Sequence, residues 1–339
     1  MRNGPALLAD MTFTASACAK VILLGEHAAV YGIPALAVPV SQVRATASLT
    51  PGETALRIIA PAVQLETTVG ELSPQDPLAA TARLVSAHYQ RDLPGGTLVL
   101  QSEIPMAAGM GSGAAVATAV VRVLARAFGR EASPQEVSAL VFEVERIHHG
   151  TPSGIDNTVI AFEKPIYFVR ERPPSLLSVG RPFQLVIADS GQKSPTRDAV
   201  AGVRARMRLS PAKYNAILGS IAALVETGRR AIAAGAEEDL GQAMTACHGE
   251  LQAMGVSNPR LDRLVAEALS AGALGAKLSG AGLGGIVIAL VRPAQQEQVA
   301  AAWRSLQVAW LRSTQVTEQP SSWPPSATGV PAPGAGQRE

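Results

Sequence analysis

The apolar positions of this chain fall into two regimes. Up to about residue 101 they come as short runs broken by Gly and Pro, at Val21–Leu24, Ala35–Pro39, Arg44–Leu49, Ala55–Ile59 and Gly96–Gln101. Their β-branched residues predict strands. After Gly113 an alanine-rich run continues to Phe128 and stops at Gly129, the pattern of a buried helix closed by a glycine. Ser133-Pro134-Gln135-Glu136 reads as a capping box with Pro at the first helical position. The helix it opens runs to about His148 or His149 and ends at Gly150. Phe183–Ala188 predicts a strand, and Ser210-Pro211 and Asn258-Pro259 predict the starts of further helices. Ala276–Leu278 and Ile286–Val291 read as strands around a glycine-rich turn, followed by a helix over Pro293–Leu306 and a last strand at Val308–Leu311. Strands dominate early and alternate with helices later, which predicts an α+β chain with a boundary near 180–190. No repeat of fixed period is visible.

Composition narrows the partners. The chain has 339 residues, long enough for two domains, and 47% of them are apolar, enough for a substantial core. A net charge of +2 with no long basic run argues against nucleic acid or a membrane surface as partner. No apolar run reaches the roughly 18–20 residues that span a bilayer. The opening M-R-N-G-P-A-L-L-A-D is too short in apolar residues to predict a signal peptide. Cys18 and Cys247, the two cysteines, form no C-x-x-C motif and no disulfide framework. A cytoplasmic location is expected. Residues 317–339, rich in Pro, Gly and Ser, are expected to form a disordered tail.

Three glycine-bearing segments carry candidate chemistry. Ile104–Ala115, I-P-M-A-A-G-M-G-S-G-A-A, lies between a predicted strand and a predicted helix. Gly109, Gly111 and Gly113 would let the backbone approach an anion, and the helix start offers free N–H groups. Its bland alternative is a tight turn that binds nothing. A Walker A loop requires G-K-[ST], and this segment has no lysine. A dinucleotide fingerprint requires an acidic residue ending the next strand, whereas Glu131 falls between two helices. Lys277–Gly285, K-L-S-G-A-G-L-G-G, holds more glycine than a hairpin needs. In Ala17–Gly32, Lys20 opens a strand and Glu26-His27 sit in the turn after it.

The stretch Glu145–Asn157, E-R-I-H-H-G-T-P-S-G-I-D-N, supplies two carboxylates separated by a loop. Glu145 falls in the last turn of its helix, where a carboxylate opposes the macrodipole. Either solvent or a bound Mg²⁺ offsets that, and Mg²⁺ commonly takes one or two carboxylates with phosphate oxygens. Asp156 reads as an Asx turn or N-cap, or as the group that faces an attacking hydroxyl with Lys20 orienting it. His148 and His149 have no third His or Cys at ligand spacing, which argues against zinc. Together these features point to a small-molecule kinase.

The blocks K-V-I-L-L-G-E-H-A-A-V-Y-G, G-M-G-S-G-A-A and K-L-S-G-A-G-L-G-G resemble, in order, the three motifs of the GHMP kinases, a family of galacto-, homoserine, mevalonate and phosphomevalonate kinases. The resemblance covers roughly residues 13–315. Gly25–Gly32, H-G-T-P-S-G-I-D-N and A-D-S-G-Q-K-S-P-T-R-D-A-V-A-G-V look most like the family's mevalonate kinase branch. It implies a two-domain α+β fold, with a ribosomal-protein-like N-terminal domain over 12–182 and a ferredoxin-like C-terminal domain over 183–316. It implies ATP and Mg²⁺ as cofactors and mevalonate, phosphorylated at its 5-hydroxyl, as substrate; a homodimer is compatible with it. By position, Asp156 matches the catalytic aspartate and Lys20 its neighbour. Pro105, Ala108, Gly109, Met110, Gly111, Ser112, Gly113 and Ala114 match the ATP phosphate loop. Glu145 and Ser112 match metal-holding positions, and Glu26, His27, His149, Thr196, Gly280 and Ala281 match the substrate pocket. Two places depart from the family pattern. Gly113 stands where a second serine is usual, which implies altered metal coordination, and Cys18-Ala19 stand where Pro-Gly is usual before the lysine. The alternatives are another kinase of the family, such as a phosphomevalonate kinase, or a catalytically silent sensor on this scaffold. A doubly anionic substrate would call for extra Lys or Arg beside Asp156, and 148–157 offers none.

Overall fold

A computed structural model describes residues 11–149, 152–193 and 196–318, apart from the side chains at 149, 196 and 197. The expected disordered tail lies, from residue 319 on, outside the described residues.

Two long strands organise the first half. β1 (Phe13–Leu24) and β2 (Ala35–Pro51) pair antiparallel along nearly their whole lengths. Cys18 pairs with Arg44 but Ala19 pairs with Val40, so residues 41–43 form a bulge. That bulge bends β2, and its polar Ser41 and Gln42 made one strand read as two. The other edge of β2 is shared: β5 (Gly96–Ser102) takes the C-terminal part and β6 (Ile166–Phe168) the N-terminal part. β3 (Arg57–Ala60), β4 (Leu65–Thr68) and β7 (Ser175–Leu176) complete a seven-stranded sheet of order β4-β3-β5-β2-β6-β7, with β1 on β2. β1 makes no strand pairing along its second edge among the described residues, which leaves backbone groups there for loops to meet.

Four described helices belong to this half. α1 (Pro77–Tyr89) is capped by Asp76, whose carboxylate accepts from Leu78 N and Ala79 N. α2 (Ser112–Ala127) is the alanine-rich helix, with Gly129 left-handed just past its end. α3 (Pro134–His149) opens on the expected capping box: Glu136 Oε2 accepts from Ser133 N at 2.8 Å, and Glu136 N donates to Ser133 Oγ at 3.2 Å. α4 (Ile155–Phe162) is short and lies on the sheet face formed by Ile22, Ala35, Ala37, Ile166 and Phe168, through Ile155 and Val159. α2 also packs on the sheet, and α1 and α3 pack against these two helices and each other.

The second half holds a four-stranded antiparallel sheet, β8 (Phe183–Asp189), β9 (Gly275–Ser279), β10 (Ile286–Val291) and β11 (Trp310–Val316), in the order β11-β8-β10-β9. This is the interleaved order of a ferredoxin-like β-α-β-β-α-β unit, as expected. α5 (Thr196–Leu209), α6 (Pro211–Ala234), α7 (Glu237–Met254) and α8 (Pro259–Ser270) lie between β8 and β9, and α9 (Gln296–Ser305) precedes β11. Asn258 caps α8 through Arg260 N and Leu261 N, whereas Ser210 makes no side-chain cap. A Cβ built on Gly241 of α7 would lie 2.3 Å from Leu274 O, and one on Gly275 2.0 Å from Gly241 O. Glycine on both sides therefore lets α7 press directly onto the start of β9. One buried apolar cluster runs through both halves, from Val21 and Leu124 to Ile288 and Trp303.

Candidate active site

The site assembles where β1, the loop before α2, the start of α4 and the loop after β9 meet. Lys20 and Ile22, two apart on β1, share a face. Ile22 packs under α4, so Lys20 reaches the N-terminal end of that helix. Its ammonium lies 3.0 Å from Asp156 Oδ1 and donates to Gly109 O at 2.8 Å. The lysine side chain is 3% exposed and the aspartate 31%, so the lysine is sequestered while the carboxylate still faces the cleft. The backbone of β1 contributes too, as Lys20 N donates to Met110 O at 3.1 Å.

The loop from Pro105 to Gly111 is bound on one side by this lysine. Gly111 is left-handed at φ 75, and a Cβ there would meet Ile160 Cδ1 at 2.8 Å and Lys20 Cγ and Cε at 3.3 Å. Only glycine gives both the turn and the passage for Lys20. Gly111 caps α2 without a side chain, so the first turn at Ser112, Gly113 and Ala114 keeps N–H donors that no side chain caps. Gly113 is exposed and has no positive φ. A Cβ built on it would find Glu145 Oε1 at 3.8 Å and nothing nearer, which brings Glu145 from the last turn of α3 to the mouth of the loop. Burial first, then the neighbouring Asp156, pushes the Glu145 pKa up to about 7, against the pull of Lys20. Lys20, Asp156 and Glu145 thus form one cluster.

The glycine-rich segment after β9 closes the site from the second half. Gly280 faces Gly109 closely enough that a Cβ on either would touch the other's backbone at 3.5–3.8 Å. His27 Nε2 donates to Ala281 O at 2.8 Å. Burial holds the His27 pKa below the ordinary histidine value, outweighing the opposing effects of the Ala281 bond and Glu26. The imidazole is thus neutral, with its Nε2 proton committed to the loop. Glu26 is buried and paired with the fully buried Lys277. His149 and Thr196 end α3 and begin α5, but their side chains lie outside the described residues. Two residues here were missed by sequence reasoning: Lys277, and Ser279, whose hydroxyl accepts from Ile22 N and donates to Ile22 O, both at 2.9 Å. The signal was a lysine and a serine two apart in an otherwise apolar strand, which places both on one face.

Among the described residues no group of three or more His, Cys, Asp or Glu side chains forms a metal cage. No described helix is long and apolar enough to cross a membrane.

Family models match this architecture in both halves, the N-terminal domain of GHMP kinases over residues 77–164 and their C-terminal domain over 229–308. The chain belongs to the GHMP kinase family and is an ATP-using small-molecule phosphotransferase. Its relatives place it among the mevalonate kinases of that family. The mevalonate kinase of Thermococcus sibiricus is 36% identical over 86% of this chain and 92% of its own length. That of Pyrococcus horikoshii is 34% identical over 85% and 91%. The crystal structure of L. major mevalonate kinase in complex with R-mevalonate superposes with a TM-score of 0.81 at 25% identity, covering 93% of this chain and 99% of that one.

Proposed function

We propose that the chain transfers the γ-phosphoryl group of ATP to the 5-hydroxyl of mevalonate, and that it does so in the cytoplasm. The observation that carries this reading is the Lys20–Asp156 pair, bound at once to the glycine loop and open to the cleft. Phosphoryl transfer needs positioning and charge neutralisation more than covalent chemistry. The loop Pro105–Ala114 holds the nucleotide phosphates through backbone N–H groups at the start of α2. Lys20 fixes Asp156 in place. Asp156 accepts the hydrogen bond of the substrate hydroxyl and takes its proton as the new P–O bond forms. His27, Glu26, Gly280 and Ala281 line the substrate side, to which His149 and Thr196 are assigned by the family resemblance alone. The two domains divide at the connection before β8, with 12–182 supplying the catalytic pair and 183–316 closing the pocket.

Mg²⁺ fits the residues present. Glu145 is a carboxylate kept costly by burial and by Asp156, and it faces the loop mouth beside Gly113. A divalent cation would compensate that charge and, when bound, neutralise the oxygens between the transferred and departing phosphates. Glu145 would hold it with Ser112. Gly113 offers no hydroxyl and would contribute no ligand from its side chain.

An ADP-release assay across mevalonate, phosphomevalonate, homoserine and galactose tests the reading. Turnover with mevalonate at least tenfold above the other three is expected. Preference for any of them overturns the assignment.

A further inference from the structure

Lys277 is fully buried in β9, a strand with no exposed residue. A lone ammonium in such a place is prohibitive. It is met by Glu26 Oε1 and by Leu278 O, the latter at 2.6 Å. Glu26 comes from the turn after β1, in the other half of the molecule, and is itself only 2% exposed. Its second oxygen, Oε2, is buried and has no hydrogen-bond partner. The surroundings are otherwise committed. Next to Glu26, His27 donates to Ala281 O, and two residues after Lys277, Ser279 is clasped on Ile22. Alternate residues of β9 thus both cross to the first half, one binding backbone and the other a carboxylate.

A buried ion pair is weak grounds for stability, since well-packed apolar residues generally do as well. An orphaned carboxylate oxygen is a cost that a donor from elsewhere must offset. We propose that Lys277 is a positioning residue for the substrate: it anchors Glu26 through Oε1 so that Oε2 is presented as the acceptor for a hydroxyl of the bound hydroxy acid. The inference rests on the reading of the site as a mevalonate site and adds Lys277 to it. The same anchored anion repels an anionic group at that subsite, so it selects hydroxyl over carboxylate or phosphate there.

The test compares the parent, Glu26→Gln, Lys277→Met and the double variant by mevalonate KM, ATP KM and kcat, with melting temperature as a separate readout. Parent turnover with mevalonate checks the substrate reading alone; if the parent prefers another alcohol of the panel, the comparison runs on that alcohol. Loss of a hydrogen bond to a charged group predicts a mevalonate KM about ten- to a hundredfold higher in each single variant, with ATP KM within about twofold. In the Glu26→Gln background, adding Lys277→Met should change mevalonate KM less than about threefold, because nothing remains to be positioned. A lower melting temperature with unchanged mevalonate KM, or equal rises in both KM values, means a structural ion pair and overturns the proposal. If Lys277→Met alone does not fold, the double variant, which buries no unpaired charge, decides: a parent-like mevalonate KM there overturns it, and a KM matching Glu26→Gln upholds it.

Discussion

Asp156, Glu145 and Lys20 share one small volume, and each responds differently to substitution. Asp156→Asn keeps shape but removes the proton acceptor proposed above, so turnover should fall by about two to four orders of magnitude with nucleotide binding retained. Turnover within threefold of the parent would remove Asp156 from the mechanism. Glu145 gives a pH signature. Its folded pKa, about 7, lies above the ordinary 4.5, so between those values the folded state holds the proton more tightly than the unfolded state. Stability of the protein without nucleotide or Mg²⁺ should therefore fall as pH rises from about 4.5 to 7 and level off above, by on the order of 2 kcal/mol. Glu145→Gln should flatten that slope in melting curves taken at pH 5 and pH 8; an unchanged slope would trace it elsewhere. The same substitution should raise the Mg²⁺ requirement for turnover. Gly113→Ser should recover part of it by supplying a hydroxyl. The competing idea, that glycine is needed there for a positive φ, is ruled out: Gly113 lies inside α2 with no positive φ, and a Cβ on it meets nothing closer than 3.8 Å. Titrating Mg²⁺ against activity for both single variants and the double shows whether the rescue occurs.

At the scale of elements, the sequence was most legible where capping and turn chemistry are explicit. The Ser133–Glu136 box and the Asn258 cap announced α3 and α8, and Gly129 marked the end of α2. Four helices, α1, α4, α5 and α7, carried weaker signals. α1 has a clear Asp76-Pro77 start but few large apolar residues, and α4 hides in a loop-like run of Ser, Gly, Asp and Asn. The first half of β1, Phe13 to Cys18, is mostly small residues with Thr14 as its one β-branched member, a weak strand signal. The final strand proved to be Trp310–Val316 rather than Val308–Leu311, because Arg312, Ser313 and Thr314 look like surface while their backbone pairs with β8. The cluster of Lys20, Asp156 and Glu145 was legible because its residues sit in motifs; the Lys277–Glu26 pair was not, because 251 residues separate its members and only the fold joins them. Gly154 shows how an element aims a side chain. It caps α4 at φ 90, two residues before Asp156, and a Cβ there would meet Phe168 Cζ at 3.1 Å. Gly154→Ala should both strain the cap and push α4 off Phe168, at a cost of about 1–3 kcal/mol. A lower melting temperature together with lower kcat is the expected result, and no change in either would mean that α4 is seated by other contacts.

For the whole molecule, the decisive feature is that the open edge of β1 is closed by loops from both halves. Lys20 N is taken by Met110 O of the loop before α2, and Ile22 N and O by the Ser279 hydroxyl at the end of β9. β1 therefore acts as the shared wall on which the two glycine loops are held face to face, Gly109 against Gly280. The apolar core is likewise continuous across the halves. Binding at such a seam should stabilise both halves together, because ligands that bind only the folded site stabilise it by mass action. Ser279→Ala tests the wall. It removes a small, buried hydroxyl that serves as donor and acceptor at once, and leaves a buried N–H and a buried C=O of Ile22 without their partner. Each unpaired backbone group costs about 1–3 kcal/mol, and relaxation or an entering water recovers part of that. The net loss should be about 2 kcal/mol, or roughly 3 °C in melting temperature for a chain of this size. Because Gly280 follows Ser279 directly, the loop should also loosen against Gly109, raising ATP KM and mevalonate KM together. Ser279→Thr keeps the hydroxyl and should restore most of both. That joint rise separates this residue from Lys277, whose substitution should act on the mevalonate side alone. A variant that melts lower yet keeps both KM values would show that Ile22 is anchored for stability only and that the loops find their register without it.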